Sequence, residues 1–131
     1  MKIRMNRDSL RLRVGRSELE RFLKDGRIQE TTRFAASPGA GFTYALEVSS
    51  PGSEGTTLRA MPCAVTVVVT PEQVRLWKRD DQVGIYTDLE IDTDTRLEVI
   101  VEKDFACLDR SDNDNADTFA NPNLSANCQA G

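Results

Sequence analysis

Ser9-Leu10-Arg11-Leu12-Arg13-Val14 alternates without a break between polar and apolar side chains. A period of two sets Leu10, Leu12 and Val14 on one face of a strand and Ser9, Arg11 and Arg13 on the other, the mark of a half-buried β-strand. Upstream, Lys2-Ile3-Arg4-Met5 alternates in the same way. Asn6-Arg7-Asp8 between the two runs reads as a tight turn, so the first two strands are expected to form a hairpin.

Downstream the period changes. Ser17 reads as a helix cap, with Glu20 three residues later completing a capping box. Leu19, Phe22 and Leu23 form an apolar stripe at helical spacing, and Gly26 suits the left-handed residue just past a helix end. Arg27–Phe34 and Phe42–Val48 follow as strands, joined by Ser37-Pro38-Gly39-Ala40-Gly41. After the Ser/Gly/Pro-rich loop Ser49–Gly55, Thr57–Met61 and Ala64–Val69 read as strands. Thr70-Pro71-Glu72-Gln73 is a strong helix start, with Thr as cap, Pro at the first helical position and Gln in the box position. Val74 and Trp77 form that helix's buried side, and Asp80-Asp81 ends it. Val83–Thr87 and Arg96–Lys103 are the last strands.

The order hairpin, short helix, strand, strand thus occurs twice, which suggests a structural duplication with little residue identity. The expected fold class is α+β: mainly antiparallel β, about eight strands in a barrel or strongly curved sheet, with two short helices over apolar faces. Residues 1–122 read as a single domain and 123–131 as a flexible C-terminal end.

Composition narrows the chemistry. The chain has 131 residues, 39% hydrophobic and 29% charged, and no histidine. Lack of histidine removes the commonest general base and the commonest transition-metal ligand. Cys63, Cys107 and Cys128 are three cysteines without CxxC spacing, which disfavours a disulfide framework or a zinc knuckle. Both Cys63 and Cys107 read as buried structural thiols, and Trp77 as a core residue. No run approaches the ~20 apolar residues of a membrane span, and the N-terminus does not read as a signal peptide. A cytoplasmic setting is expected.

Net charge is −4 but unevenly spread. Residues 1–34 carry ten Lys/Arg against five acids, and residues 80–117 carry thirteen acids against three bases. The two ends are expected to attract each other across a small domain, and overall acidity with few aromatics disfavours nucleic-acid binding. The carboxylates of 109–117 fit no EF-hand register, because Ala116, Thr118 or Leu124 falls where the loop needs an oxygen ligand, Gly or Glu.

The polar strand faces offer Lys2, Arg4, Arg11 and Arg13, with Glu98 and Glu102 on the last strand, as candidate ligand-binding residues; Arg33, Arg59 and Arg96 stand near them in the same pattern. No metal site is assigned. If such a face lined a wide barrel, its cations would bind phosphate and its carboxylates would hold Mg²⁺ or Mn²⁺. That arrangement resembles, in topology, the triphosphate tunnel (CYTH-like) barrels, eight-stranded with duplicated halves. Their Glu-x-Glu-x-Lys opening is replaced here by Lys2-Ile3-Arg4-Met5, which carries no acid.

Met1-Lys2-Ile3-Arg4, Leu10-Arg11-Leu12-Arg13, Phe42-Thr43-Tyr44-Ala45-Leu46-Glu47, Asp81-Gln82-Val83-Gly84-Ile85 and Val101-Glu102-Lys103-Asp104-Phe105-Ala106-Cys107-Leu108-Asp109 together resemble a family of short uncharacterised bacterial proteins. Members close with an acidic stretch and an aromatic-Pro-Asn-Pro ending; here Thr118-Phe119-Ala120-Asn121-Pro122 puts Ala120 in place of the first proline. The resemblance spans roughly residues 1–122 and implies a bacterial cytosolic protein, with no catalytic residues to carry over. The expected function is a non-catalytic binding or interaction module without a cofactor, whose partner is a small anionic ligand or a protein. The alternative is a phosphate- or triphosphate-binding barrel with metal-dependent hydrolysis, for which Mg²⁺ or Mn²⁺ would be required.

Overall fold

The computed structural model describes residues 1–105 and 117–119. The elements run β1 (Lys2–Met5), β2 (Ser9–Val14), α1 (Arg16–Asp25), β3 (Arg27–Arg33), β4 (Gly41–Val48), β5 (Thr57–Met61), β6 (Ala64–Val69), α2 (Pro71–Trp77), β7 (Gly84–Glu90) and β8 (Arg96–Lys103). They form two four-stranded sheets, ordered β1-β2-β8-β7 and β3-β4-β6-β5. The chain divides into a terminal unit, Met1–Leu19 with Val83–Gly131, and a central unit, Glu20–Gln82. The first sheet belongs to the terminal unit and the second to the central unit.

In the terminal unit the alternation of β2 does what its period demands. Leu10, Leu12 and Val14 are buried and lie in parallel register with Val99, Val101 and Lys103 of β8. Ile85 of β7 stands opposite Val101 and completes the apolar face. Gly84 is required where it stands, because a Cβ there would come within 2.7 Å of the Val101 carbonyl oxygen.

In the central unit Ile28, Leu46, Val65, Val67 and Val69 are buried, together with Phe22 of α1 and Val74 and Trp77 of α2. Phe22 and Trp77 meet edge to face with ring centroids 6.5 Å apart, a favoured aromatic geometry. Helix α2 starts as its sequence dictates: the Thr70 hydroxyl accepts from the Gln73 N–H, the Thr70 N–H donates to the Gln73 side chain, and Pro71 follows the cap. Gly26 adopts φ +78° at the end of α1.

Three expectations need correction. Neither sheet closes into a barrel, and neither is purely antiparallel: the central pair of each, β2–β8 and β4–β6, is parallel. Each sheet is two antiparallel hairpins joined side by side. A tight turn forces its own two strands antiparallel, but no turn links β2 to β8 or β4 to β6, and one-strand periodicity says nothing about a neighbour's direction. Cys63 is exposed, since it sits in the two-residue turn between β5 and β6 and not on a packed strand.

The third correction concerns α1. Gly15, not Ser17, precedes it: the Gly15 carbonyl accepts the first helical bond from Leu19, and the Gly15 N–H donates to Glu18 Oε1 at 2.9 Å. Glu18 therefore takes the box position expected of Glu20. Gly15 has no side chain to cap with, and Asp117 supplies one. The Asp117 Oδ1 accepts from the Ser17 N–H at 3.1 Å, its Oδ2 from the Ser17 hydroxyl at 2.8 Å, and its carbonyl from the Arg16 N–H at 3.0 Å. Phe119 donates its N–H to the Asp104 carbonyl, packs edge to face on Phe105, and lies 5.5 Å from the buried Lys103 ammonium. Cys107, Cys128 and most of the acidic segment fall outside the described residues.

The two halves of the chain can be aligned through their parallel strand pairs. Val14 of β2 pairs with Lys103, and Val69 of β6 pairs with Val48. Aligning Val14 with Val69 sets Leu12 on Val67, Glu18 on Gln73, Leu19 on Val74 and Phe22 on Trp77 without a gap. Across the parallel pairs it sets Glu102 on Glu47 and Ile100 on Ala45. Each half of the chain contributes its first hairpin to one sheet and its last hairpin to the other.

Candidate anion-binding face

The charged face of the terminal sheet follows from the same alternation that buries the leucines. In the β1–β2 ladder Lys2 is opposite Arg13 and Arg4 is opposite Arg11. Like charges directly opposite in an antiparallel pair are destabilising, and here two such pairs stand in succession. The parallel ladder then sets Arg11 beside Ile100 and Arg13 beside Glu102, and β7 adds Tyr86 beside Ile100.

Acids offset part of this charge. Glu102 Oε1 lies 3.1 Å from Arg13 Nε and 3.5 Å from Arg11 Nε. Lys2 Nζ lies 3.1 Å from the buried carboxylate of Asp104. At the turn end of the hairpin, Arg4, Asn6, Ser9 and Arg11 line an open hollow of about 230 Å³. Two guanidiniums, an amide and a hydroxyl there present the donors that an oxyanion needs, and arginine's planar fork matches phosphate geometry.

Ile100 is 4% exposed although it belongs to this charged face. Tyr86 stands beside it, its hydroxyl pKa pushed up by burial and then by the Glu102 carboxylate, with Arg11 opposing.

All six residues singled out from the sequence, Lys2, Arg4, Arg11, Arg13, Glu98 and Glu102, share this one face, but they do not form one cluster. Glu98 stands opposite Ser9 and Asp88. Four residues along β8 separate it from Glu102, about 13 Å at strand rise. Among the described residues no group of three or more Cys, Asp or Glu is placed to hold a metal ion. Arg96 stands opposite Glu90 at the far end of the same sheet. Arg33 belongs to the central unit, where it donates to the Ala36 carbonyl at 3.2 Å.

The sequence reading missed Asn6 and Ser9 as donors, and Asp104 as the acid beside Lys2. Asn6 reads as a turn residue, and a turn assignment does not say which way its side chain points; Ser9 reads on the polar face beside Arg11 but is not singled out. It also missed Glu47 in the central unit, where Arg27 Nη1 donates at 2.7 Å and Arg59 donates twice, at 3.1 and 3.3 Å. Arg59 holds the Glu47 carboxyl below the usual carboxylate range, with burial opposing and Arg27 assisting.

Compared with known proteins, residues 1–123 match the family model described as "Family of unknown function (DUF7009)". No curated protein and no solved structure matches the chain.

Proposed function

We propose that this chain, which belongs to the DUF7009 family of unknown function, is a non-catalytic binding module that takes a small oxyanion of the phosphate class on the charged face of its terminal unit. The observation that carries this reading is the pair of successive like-charge ladder positions, Lys2 with Arg13 and Arg4 with Arg11. Selection for stability alone would place an acid opposite each base. Cations held against one another are favoured where an anion completes them, and Arg4 and Arg11 line one hollow together with Asn6 and Ser9.

Arg4 and Arg11 would act as the principal charged donors, Asn6 and Ser9 as orienting donors, and Arg13 with Lys2 as a second rank held by Glu102 and Asp104. The role proposed is binding because the opening strand, Lys2-Ile3-Arg4-Met5, carries none of the acids of the tunnel-type opening. The setting proposed is the bacterial cytoplasm, on the sequence resemblance; among the described residues no helix is long and apolar enough to cross a membrane.

Thermal unfolding in low salt with and without inorganic triphosphate tests the reading. A ligand that binds the folded state raises the midpoint by mass action, and millimolar triphosphate is expected to raise it by several degrees. An unchanged midpoint at that concentration would refute the proposal.

A further inference from the structure

The alignment that sets Val14 on Val69 carries the charged face with it. Glu102 corresponds to Glu47, Ile100 to Ala45 and, through the two hairpins, Arg4 to Arg59. The correspondence extends to what these residues do. Glu102 gathers Arg13 and Arg11; Glu47 gathers Arg27 and Arg59. Ile100 and Ala45, beside them, are both nearly inaccessible on a charged face.

The two centres are assembled from different strands. In the terminal unit the position opposite Glu102 on β7 is Gly84, and the second arginine comes from β2. In the central unit the equivalent position on β3 is Arg27, and β6 contributes Thr66 and Val68 where β2 has Arg11 and Arg13. One carboxylate flanked by two guanidiniums therefore recurs although no arginine but Arg4/Arg59 is at a matching position. Convergence on the same charge arrangement by different residues is not what descent from one repeat explains by itself.

We infer that the central unit carries a second oxyanion site, centred on Arg59 and Arg27 over Glu47, the counterpart of the Arg11, Arg13 and Glu102 group beside the terminal site, and resting on that reading. Two cations against one acid leave an excess positive charge on the face. The bonds to Glu47 and Gln29 leave further N–H donors on both guanidiniums. Their side chains are 38% and 55% exposed, open to a ligand from solvent. The Thr31 and Thr43 hydroxyls, 2.8 Å apart, lie on the same face two ladder rows away. The ligand class is again a phosphate or short oligophosphate, bound by arginine forks without a metal.

Amide-resolved NMR titration of the full chain with inorganic triphosphate tests this. Two groups of amides should shift and saturate, one at Arg4–Arg11 and one at Arg27, Glu47 and Arg59. Arg59→Gln should weaken the second group's binding at least tenfold and leave the first unchanged. Glu47→Gln should act the other way: removing the competing carboxylate should tighten the second site by about threefold or more, a gain that a misfolded variant cannot mimic. Shifts confined to Arg4–Arg11 would overturn the second site and leave the first standing. No shift in either group would overturn both. Loss of both groups in Arg59→Gln would mean one shared site and overturn a separate second one.

Discussion

Arg4 faces Arg11 directly across the antiparallel β1–β2 ladder, and Lys2 faces Arg13 in the next pair on the same face. A cross-strand pair of opposite charges contributes roughly 0.2–1 kcal/mol, and a like pair costs a similar amount. Arg4→Gln removes that repulsion together with Arg4's own favourable contacts, and should change unliganded stability by no more than about 1 kcal/mol in either direction. Urea unfolding measures this. A loss larger than that would mean Arg4 serves the fold and not a ligand.

Asp117 caps a helix from a distant part of the chain. A Cβ on Gly15 would stand 2.5 Å from the Asp117 Oδ2 and 2.6 Å from its carbonyl oxygen, so Gly15→Ala must push the segment off the helix start. The expected cost is about 1–3 kcal/mol, as for overpacking. Asp117→Ala removes the cap without the clash and should cost about 0.5–2 kcal/mol. Hydrogen exchange should report faster exchange at the Ser17 amide in both variants, and also at the Arg16 amide, which bonds the Asp117 backbone carbonyl, in Gly15→Ala. Unchanged protection there would contradict the cap.

Phe22 and Trp77 are each 1% exposed, and they occupy matching positions in the two halves. Trp77→Ala should destabilise the chain by about 3–5 kcal/mol. A double-mutant cycle of Phe22→Leu with Trp77→Leu should return a coupling of about 0.5–1.5 kcal/mol beyond burial, from the edge-to-face geometry. A coupling indistinguishable from zero would mean the rings merely share a core.

Much of this was readable in advance, and the limits are physical. The strict alternation of β2 forecast its buried leucines, and Thr70 with Pro71 and Gln73 forecast the start of α2, because both signals are local. The start of α1 was misread. Its cap is a glycine, and the capping side chain comes from a residue about a hundred positions away, which no local pattern reveals. The barrel was misread because closure and strand direction depend on pairings between hairpins far apart in the chain. The six candidate residues were read off the polar faces of their separate strands, and it is the strand pairing, which parity does not state, that sets those faces side by side on one sheet. The spacing along β8, which separates Glu98 from Glu102, was also in the sequence, as was the face of Ser9, while Asn6 was not legible, since a turn residue carries no face.

Glu47 should leave a pH signature. Its carboxyl lies below the ordinary range in the folded chain, so the unfolded state takes up protons first as pH falls. The stability Glu47 contributes is full above its unfolded value, about 4.3, and is lost as pH falls through the lower folded value. Wild type should therefore exceed Glu47→Gln by about 0.2–1 kcal/mol near neutrality, with the gap closing below about pH 4. Chemical denaturation across pH 3–7 checks the trend; a gap that widened in acid would contradict the bonds to Arg59 and Arg27.

The central claim is that Arg4 and Arg11 bind an oxyanion. Isothermal titration of inorganic triphosphate into wild type and into the Arg4→Gln, Arg11→Gln double variant, at one fixed low salt concentration, tests it most directly. Glu102 keeps Arg13 in the variant, so the sheet retains its ion pair. Each charge-assisted hydrogen bond is worth about 1.5–3 kcal/mol, and the account predicts binding to wild type that weakens by more than tenfold in the variant. Equal affinity in the two proteins would contradict it.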